Sequence, residues 1–403
     1  MIVIPEYHAV TDHDAFRQEV REWLEAHCPD SQRQPIVREE QIWAGSQQSF
    51  SSEDAKAWFE AMRDRGWTAP SWPTEYGGGG LDAEQARILE QEMRRLRCRP
   101  PLYDMGLWML GPALLTFGSD AQKATHIPRI IRGEARWAQG YSEPGAGSDL
   151  ASLTTRAVDD GDHFIVSGTK IWTTRADVAD WIFCLVRTDP DAPKREGISF
   201  LLIDMHSAGI TTRPIALISG ESEFCQTFFD EVRVPKDNLV GELNQGWEVA
   251  KELLKHERKL MATMETITEK IDVGLVELAK SRLPVSDAGR LTNADLRARM
   301  AEHLMQADAL NDLNDLIYNG MKSGQLDPAI PLTLKHIGTK EQQRKDELML
   351  EILGADGLSM SSGTPDLDRM VRNWAYNKAH TIAGGTSEIQ LNIIARRGLG
   401  LPE

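Results

Sequence analysis

Cysteine is scarce in this 403-residue chain: Cys28, Cys98, Cys184 and Cys225 stand far apart in sequence, with no Cys-x-x-Cys and no Cys/His ligand spacing. That excludes a disulfide framework and argues against a zinc or other metal site; a reducing compartment, the cytoplasm, is the expected location. Long apolar runs are absent too. No stretch approaches the roughly 20 residues a membrane span needs, and the opening MIVIPEYHAVTDHD turns acidic early, unlike a signal or transit peptide. No membrane partner is expected. Positive charge is in deficit, with a formal net charge of −16 and no basic stripe, which argues against nucleic acid and reads as a solubility device. Tandem repeats, heptads and low-complexity tracts are missing as well.

What is present is enough apolar material for a sizeable core, at 41% hydrophobic residues. Residues 14–136 place apolar side chains at helical spacing: Phe16, Val20, Trp23 and Leu24 on one face, Ala57, Phe59, Met62 and Trp67 on another. A turn-rich connection, 66–78, lies between helices. From 137 to 243 the character changes to β-branched and aromatic runs, at 181–186, 198–203 and 226–234, separated by Pro, Gly and Asp clusters. Short strands are also expected at 137–142 and 154–157, with a hairpin whose arms, 163–166 and 170–173, flank a Ser167-Gly168-Thr169 turn. After Gly246 the helical pattern returns, with candidates at 247–277, 293–321 and 331–353. The order helices, strands, helices implies a mainly α chain with a central β-domain set between two helical ones, divided 1–136, 137–243 and 244–403.

The most informative stretch is the start of the β-region, where the Gly-rich loop Glu143-Pro-Gly-Ala-Gly-Ser-Asp149 is followed by Gly168-x-Lys170-x-Trp172-x-Thr174. The hydroxyls of Ser142, Ser148, Thr173 and Thr174 fall at strand ends near the Trp172 indole. Stacking plus short donors suits a flat heteroaromatic with carbonyls and ring nitrogens, as in a flavin. An ordinary surface β-loop has the same local composition, so the residues alone leave both readings open.

The two linked motifs resemble the paired signature of the acyl-CoA dehydrogenase family at the family's spacing. The resemblance runs nearly the whole chain. It takes in the 66–78 loop (GW…P.WP.EYGG), Gly118 with Gln122-Lys123, Gly133-Glu134, the β-domain exit 229–241, and the terminal Thr381-Ile-Ala-Gly-Gly-Thr-Ser-Glu-Ile-Gln390 with Asn392–Arg396. It implies an N-terminal helical domain, a middle β-barrel and a C-terminal helical bundle. It also implies FAD as cofactor, an acyl-CoA thioester dehydrogenated to the 2-enoyl-CoA, and electrons passed to an electron-transfer flavoprotein or similar acceptor. Carried over residue by residue, Gln139, Ser142, Ser148, Trp172 and Thr174, with Thr386 and Glu388, are expected at the cofactor. Ser148 and Arg258 are expected at the substrate. Ser387 to Gln390 has capping-box spacing, so a helix is expected to open there with free N–H groups facing a ligand.

Such chemistry needs a desolvated carboxylate to take a weakly acidic α-proton. Many members place that Glu just before the terminal Gly-Thr-Ser; here the position is Gly384. A branch of the family puts the base on the helix after the β-domain, and Glu257-Arg258 matches it. Trp247, Ala250, Leu254, Glu257, Met261 and Met264 follow steps of three and four, which sets Glu257 within an apolar stripe; a Glu at the stripe's edge, paired with a basic neighbour, fits the same pattern. Loss of the usual base leaves room for a branched or ring-bearing acyl group. A second departure is the absence of the family's Arg-x-x-Phe-Gly motif, while its Gln-x-x-Gly-Gly stands here as Glu351-Ile-Leu-Gly354-Ala355. A homo-oligomer with altered contacts, or a heteromer with a related chain, follows from that. The rival readings are a catalytically silent subunit, a flavin oxidase or nitroalkane-type enzyme on the same fold, and a structural interaction protein.

Overall fold

A computed structural model describes residues 12–34, 36, 38–267, 274–323, 326–327 and 329–402, with the side chains of residues 12, 38, 257–267, 318, 319 and 321–323 outside the description. The chain forms two compact units. The first takes the residues up to Pro214 together with Glu223–Lys270; the second takes Ile215–Ser222 together with Ile271–Glu403.

In the first unit the helices α1 (Asp12–His27), α2 (Glu53–Asp64), α3 (Ala83–Leu96), α4 (Gly111–Phe117) and α5 (Asp120–Ile131) precede the sheet. Their starts are written in the sequence. Ser52 caps α2 by accepting from the Ala55 N–H at 3.1 Å, and Asp82/Gln85 and Ser119/Gln122 form capping boxes on α3 and α5. Gln122 does more than cap: its amide donates to the carbonyls of Asp237 (2.7 Å) and Leu239 (2.8 Å), tying α5 to the end of the sheet. The 66–78 loop is packing machinery. Its Trp72 ring lies over Gly111, where a Cβ would stand 1.9 Å from the ring, so no larger residue fits at the start of α4. The turn before α4, Gly106–Leu110, is a π-helix.

Eight strands follow: β1 (Trp137–Gly140), β2 (Arg156–Asp160), β3 (His163–Thr174), β4 (Trp181–Arg187), β5 (Ile198–Asp204), β6 (Ile210–Ile215), β7 (Phe224–Pro235) and β8 (Leu239–Val240). They hydrogen-bond in the order β6-β7-β3-β2-β4-β5-β8, with β1 parallel to β4. In β4 and β5 both faces are buried. Phe183, Leu185, Phe200 and Leu202 point to a core shared with Leu110, Ala113, Leu114, Ile127 and Ile130, while Ile182, Cys184, Val186, Leu201 and Ile203 point to a second core with Phe164, Val166, Val232 and Val234. That is why these strands read as continuous apolar runs rather than alternating ones.

The expected hairpin at 163–173 is not formed. Residues His163–Thr174 are one strand, paired along β7 with register shifts between Val166 and Gly168 and between Lys170 and Thr173. Gly168 serves close approach, not a turn: at φ +156 a Cβ would meet Thr155 at 2.5–2.7 Å. Glycine in a strand pattern is ambiguous between these two uses.

Helix α6 (Gly246–Ile267) follows the sheet and packs on β5, the π-helix and α4 through Val249, Ala250 and Leu253. The single helix expected over 247–277 is thus shorter; residues 268–273 lie outside the described residues, and a separate α7 (Leu275–Arg282) begins the second unit. There α8 (Ala294–Ser323), α9 (Ile330–Leu353), α10 (Pro365–Asn377) and α11 (Ser387–Ile393) follow. Leu278, Leu296, Met300, Leu348, Ile352, Leu367 and Val371 make its core. The strap 215–222 is held within this unit by Arg372, which donates to the carbonyls of Ser219 (2.9 Å) and Met360 (2.9 Å).

Candidate active site

The Gly-rich loop is organised around a buried carboxylate. Glu143 accepts hydrogen bonds from the Thr154 N–H (2.7 Å), the Thr154 hydroxyl (2.8 Å), the Thr155 N–H (2.9 Å) and the Lys170 ammonium (2.8 Å). Lys170, itself fully buried, also donates to the Tyr141 carbonyl at 3.1 Å. Burial alone would raise the Glu143 carboxyl; the Lys170 charge and these donors outweigh it and hold the group at about 2. The pair staples the loop's origin to β3. In the sequence Glu143 and Lys170 are motif letters without a role of their own, because residues so far apart give no sign that they meet.

Two residues beyond Lys170, the strand bends and presents Trp172. Its φ is +61, a left-handed conformation that costs a non-glycine residue roughly 1–2 kcal/mol. The indole is 52% exposed and edges against Phe224, ring centroids 6.1 Å apart. Thr173 points inward, donating to the Cys225 carbonyl (2.9 Å) and lying 2.8 Å from the Thr227 hydroxyl, so it is a strand anchor. Thr174 is half-buried on the alternate side. The Ser142 carbonyl accepts the Ile171 N–H at 2.9 Å, which brings Ser142 beside Trp172. Gln139 is half-buried on β1, which lies against β3. Ser148 is exposed on the open side of the loop. The first unit therefore gathers Gln139, Ser142, Trp172 and Thr174 at one end of β1 and β3.

Thr386 and Glu388 belong to the second unit. Thr386, not Ser387, is the cap: its hydroxyl accepts from the Ile389 N–H at 3.2 Å. The capping-box spacing is thus off by one residue, and α11 is only 7 residues long. The backbone N–H of Glu388 and the Thr386 hydroxyl hold the exposed Glu388 carboxylate below its ordinary value. Lys335 of α9 donates to the Gly385 carbonyl and fixes the terminal loop. Gly384 sits at φ +62, in the left-handed region glycine favours.

Glu257 and Arg258 lie on the backbone of α6, one turn beyond Leu253; their side chains are outside the described residues. Two buried titratable groups have nothing local in the sequence to mark them. Asp104 accepts the Trp137 N–H at 3.0 Å, and burial pushes its carboxyl up to about 7. His126, lying edge-on to Trp137 and Trp181, is pushed down to about 4 by burial.

In the region of the missing Arg motif, the second unit does hold cations, and two of them, Arg299 and Arg282, are engaged by carboxylates within the unit. Arg299 makes a bidentate pair with Glu351 (2.6 and 2.8 Å) and a further bond to Asp295 (2.9 Å), and Arg282 pairs with Asp356. Among the described residues no cluster of His, Cys, Asp and Glu could hold a metal ion, and no helix is long and apolar enough to cross a membrane.

Residues 11–134, 138–232 and 244–399 match in turn the N-terminal, middle and C-terminal domains of acyl-CoA dehydrogenase. Acyl-CoA dehydrogenase FadE34 of Mycobacterium tuberculosis is 38% identical over 344 residues, 85% of this chain but 46% of FadE34. Acyl-CoA dehydrogenase IpdE1 of the same organism is 33% identical over 392 residues, 97% of this chain and 98% of IpdE1. The solved structure of the Tcur3481-Tcur3483 steroid ACAD is similar with a TM-score of 0.75 at 31% identity, covering 97% of this chain and 98% of that one. The chain belongs to the acyl-CoA dehydrogenase family. It is an oxidoreductase of a flavoprotein family that works in lipid catabolism, and a flavin is the cofactor this fold implies.

Proposed function

We propose that this chain catalyses FAD-dependent α,β-dehydrogenation of an acyl-CoA thioester to the 2-enoyl-CoA, on the domain division 1–136, 137–243 and 244–403. The observation that carries the reading is Trp172, a half-exposed indole kept in a left-handed conformation beside Ser142 and Thr174. Strain of this kind persists where the surroundings over-determine it, and it clusters at ligand sites. The first unit's side of a flavin site fits: an aromatic face, short hydroxyls, and a loop origin fixed by Glu143 and Lys170. When bound, the flavin supplies a hydride acceptor for the substrate's β-hydrogen. Gln139, Ser142 and Thr174 hold its edge, Trp172 its face, and Thr386 and Glu388 its dinucleotide. Ser148 and Arg258 hold the acyl-CoA. Glu257 takes the α-proton, a role supported by its backbone position after the buried Val249, Ala250 and Leu253 and by the glycine at 384.

A ring-bearing acyl group is the substrate class we favour, given Gly384 in place of a carboxylate and the likeness to a protein named a steroid ACAD. Electrons leave to an electron-transfer flavoprotein or similar acceptor. The engagement of Arg299 and Arg282 by the chain's own carboxylates supports assembly with a related second chain that supplies the cations this one withholds; the likeness to a protein named for two chains agrees. The cytoplasm is the proposed location. The same two features, Gly384 and the engaged arginines, favour a second reading, a silent subunit of such a heteromer. An absorbance spectrum of the purified protein, alone and with the related chain, before and after adding straight-chain and steroid acyl-CoAs, separates them. Flavin bleaching that Glu257→Gln abolishes supports the first reading. Bleaching that survives that change supports the second, and a colourless protein in every combination refutes both.

A further inference from the structure

The first unit contains a pair of thiols that the flavin chemistry does not use. Cys28 immediately follows α1, its N–H donating to the Leu24 carbonyl at 2.9 Å, and Cys98 follows α3 with its N–H on the Met93 carbonyl at 2.8 Å. The two helices run parallel: Arg17 of α1 reaches Glu92 of α3 (3.0 Å), and further along Glu25 meets Arg95 (2.8 Å). Buried Glu92 also binds Arg21 (3.1 Å) and Arg95 (2.6 Å), which locks the helices in this register. Both C-terminal ends therefore arrive at one place, within an apolar cluster with Trp23, Trp58 and Trp67. Gln32 closes the arrangement, its carbonyl accepting from the Cys28 thiol at 3.8 Å and from the N–H of Arg99, next to Cys98, at 2.9 Å.

We propose that Cys28 and Cys98 are a modification site, a dithiol that a peroxide converts into a reversible intramolecular disulfide between the ends of α1 and α3. Both cysteines are free, and their side chains share one apolar cluster, Cys28 within it and Cys98 packed against it. The neighbouring Cys98 thiol, with the Arg33 guanidinium, lowers the Cys28 thiol even against burial, while Cys28 and burial raise Cys98. The pair thus gives up its first proton more readily than an isolated buried thiol would. Cys28 is 2% exposed and Cys98 half-buried, so the oxidant arrives at Cys98. Passage of the remaining proton to Cys28 leaves the thiolate on Cys98. Its electron pair attacks one peroxide oxygen, the O–O bond breaks, and the departing hydroxide takes a proton and leaves as water, giving a sulfenic acid. The Cys28 sulfur then attacks that sulfur, the S–O bond breaks, and a second water leaves. Two thiols are oxidised and one peroxide is reduced to two waters.

Cys184 and Cys225 serve as internal controls. Both are fully buried in the sheet, and burial pushes the first up to about 11 and raises the second. The test treats the full-length protein with stoichiometric hydrogen peroxide, blocks free thiols, and counts them after denaturation, with peptide mapping of any linkage. The expected result is a fall from four thiols to two, a Cys28–Cys98 crosslinked peptide, and recovery of all four with dithiothreitol. Cys98→Ser, at the half-buried position, should fold and yield no intramolecular disulfide. The thermal midpoint should rise on oxidation in the wild type and stay put in that variant. Four thiols persisting, a crosslink involving Cys184 or Cys225, or oxidation stopping at an unlinked Cys98 would each overturn the proposal.

Discussion

Replacing Lys170 by Met is the sharpest probe of how the Gly-rich loop is held. The ammonium is fully buried and bonded to Glu143 and to the Tyr141 carbonyl, so methionine fills the space but strands a buried carboxylate. Removing one member of a buried pair costs about 3–5 kcal/mol. The depression of Glu143 from 4.5 to about 2 gives a figure of the same size, since each pH unit is worth about 1.4 kcal/mol and the total is thus about 3 kcal/mol. The pair does not have to stabilise the fold over an apolar substitute. Glu143→Gln combined with Lys170→Met should accordingly recover most of what the single change loses. The pH dependence has a definite sign. A carboxyl depressed in the folded state contributes stability that is present above about 4.5 and is lost as the pH falls toward 2. In Lys170→Met the stranded carboxyl should instead bind its proton more readily when folded, so the gap from wild type narrows with acid. Urea unfolding followed by tryptophan fluorescence reads this unit, because every tryptophan except Trp374 lies in it. A single variant within about 1 kcal/mol of wild type at pH 7, or a double variant no better than the single, would refute the reasoning.

Glu257→Gln should lower turnover by about 10²–10⁴-fold or more while FAD and acyl-CoA still bind; near-normal flavin reduction in rapid mixing would move the base elsewhere. Trp172→Ala should weaken flavin retention on gel filtration, and Trp172→Gly should do so while relieving roughly 1 kcal/mol of backbone strain; unchanged flavin content in both would contradict the placement. Asp104 is raised from 3.8 to about 7, so its contribution is fully present below about 3.8 and falls away as the pH rises through 7, by about 4 kcal/mol at most. Asp104→Asn should flatten that decline in thermal midpoints measured from about pH 4 to 8, and a decline of equal slope in the variant would refute it.

How much of this is legible in the sequence depends on whether one segment carries its own signal. β4 and β5 can be read from their apolar runs because both faces of the sheet are covered there, and α8 and α9 begin within a residue of the expected 293 and 331. β3 reads as a hairpin because Gly168 answers to a neighbour, Thr155, that local sequence does not reveal. The terminal cap is displaced by one residue because Thr386 and Ser387 both have hydroxyls and only backbone geometry chooses between them. The linked motifs point to Ser142, Trp172 and Thr174, which do gather. The Glu143–Lys170 staple, the double duty of Gln122 and the buried Asp104 depend on partners remote in sequence and emerge only in three dimensions.

The strap 215–222 has a consequence for anyone dissecting the molecule. The second unit is not a continuous tail: eight of its residues, Ile215–Ser222, run from the last residue of β6 toward β7, where the chain returns to the sheet. A fragment beginning at 271 would omit the Ser219 carbonyl that Arg372 binds, and a protease nick after α6 would not set the second unit adrift, because the sheet still owns part of its chain. Autonomous expression of that unit would have to splice the strap back in by a linker, as a permuted sequence.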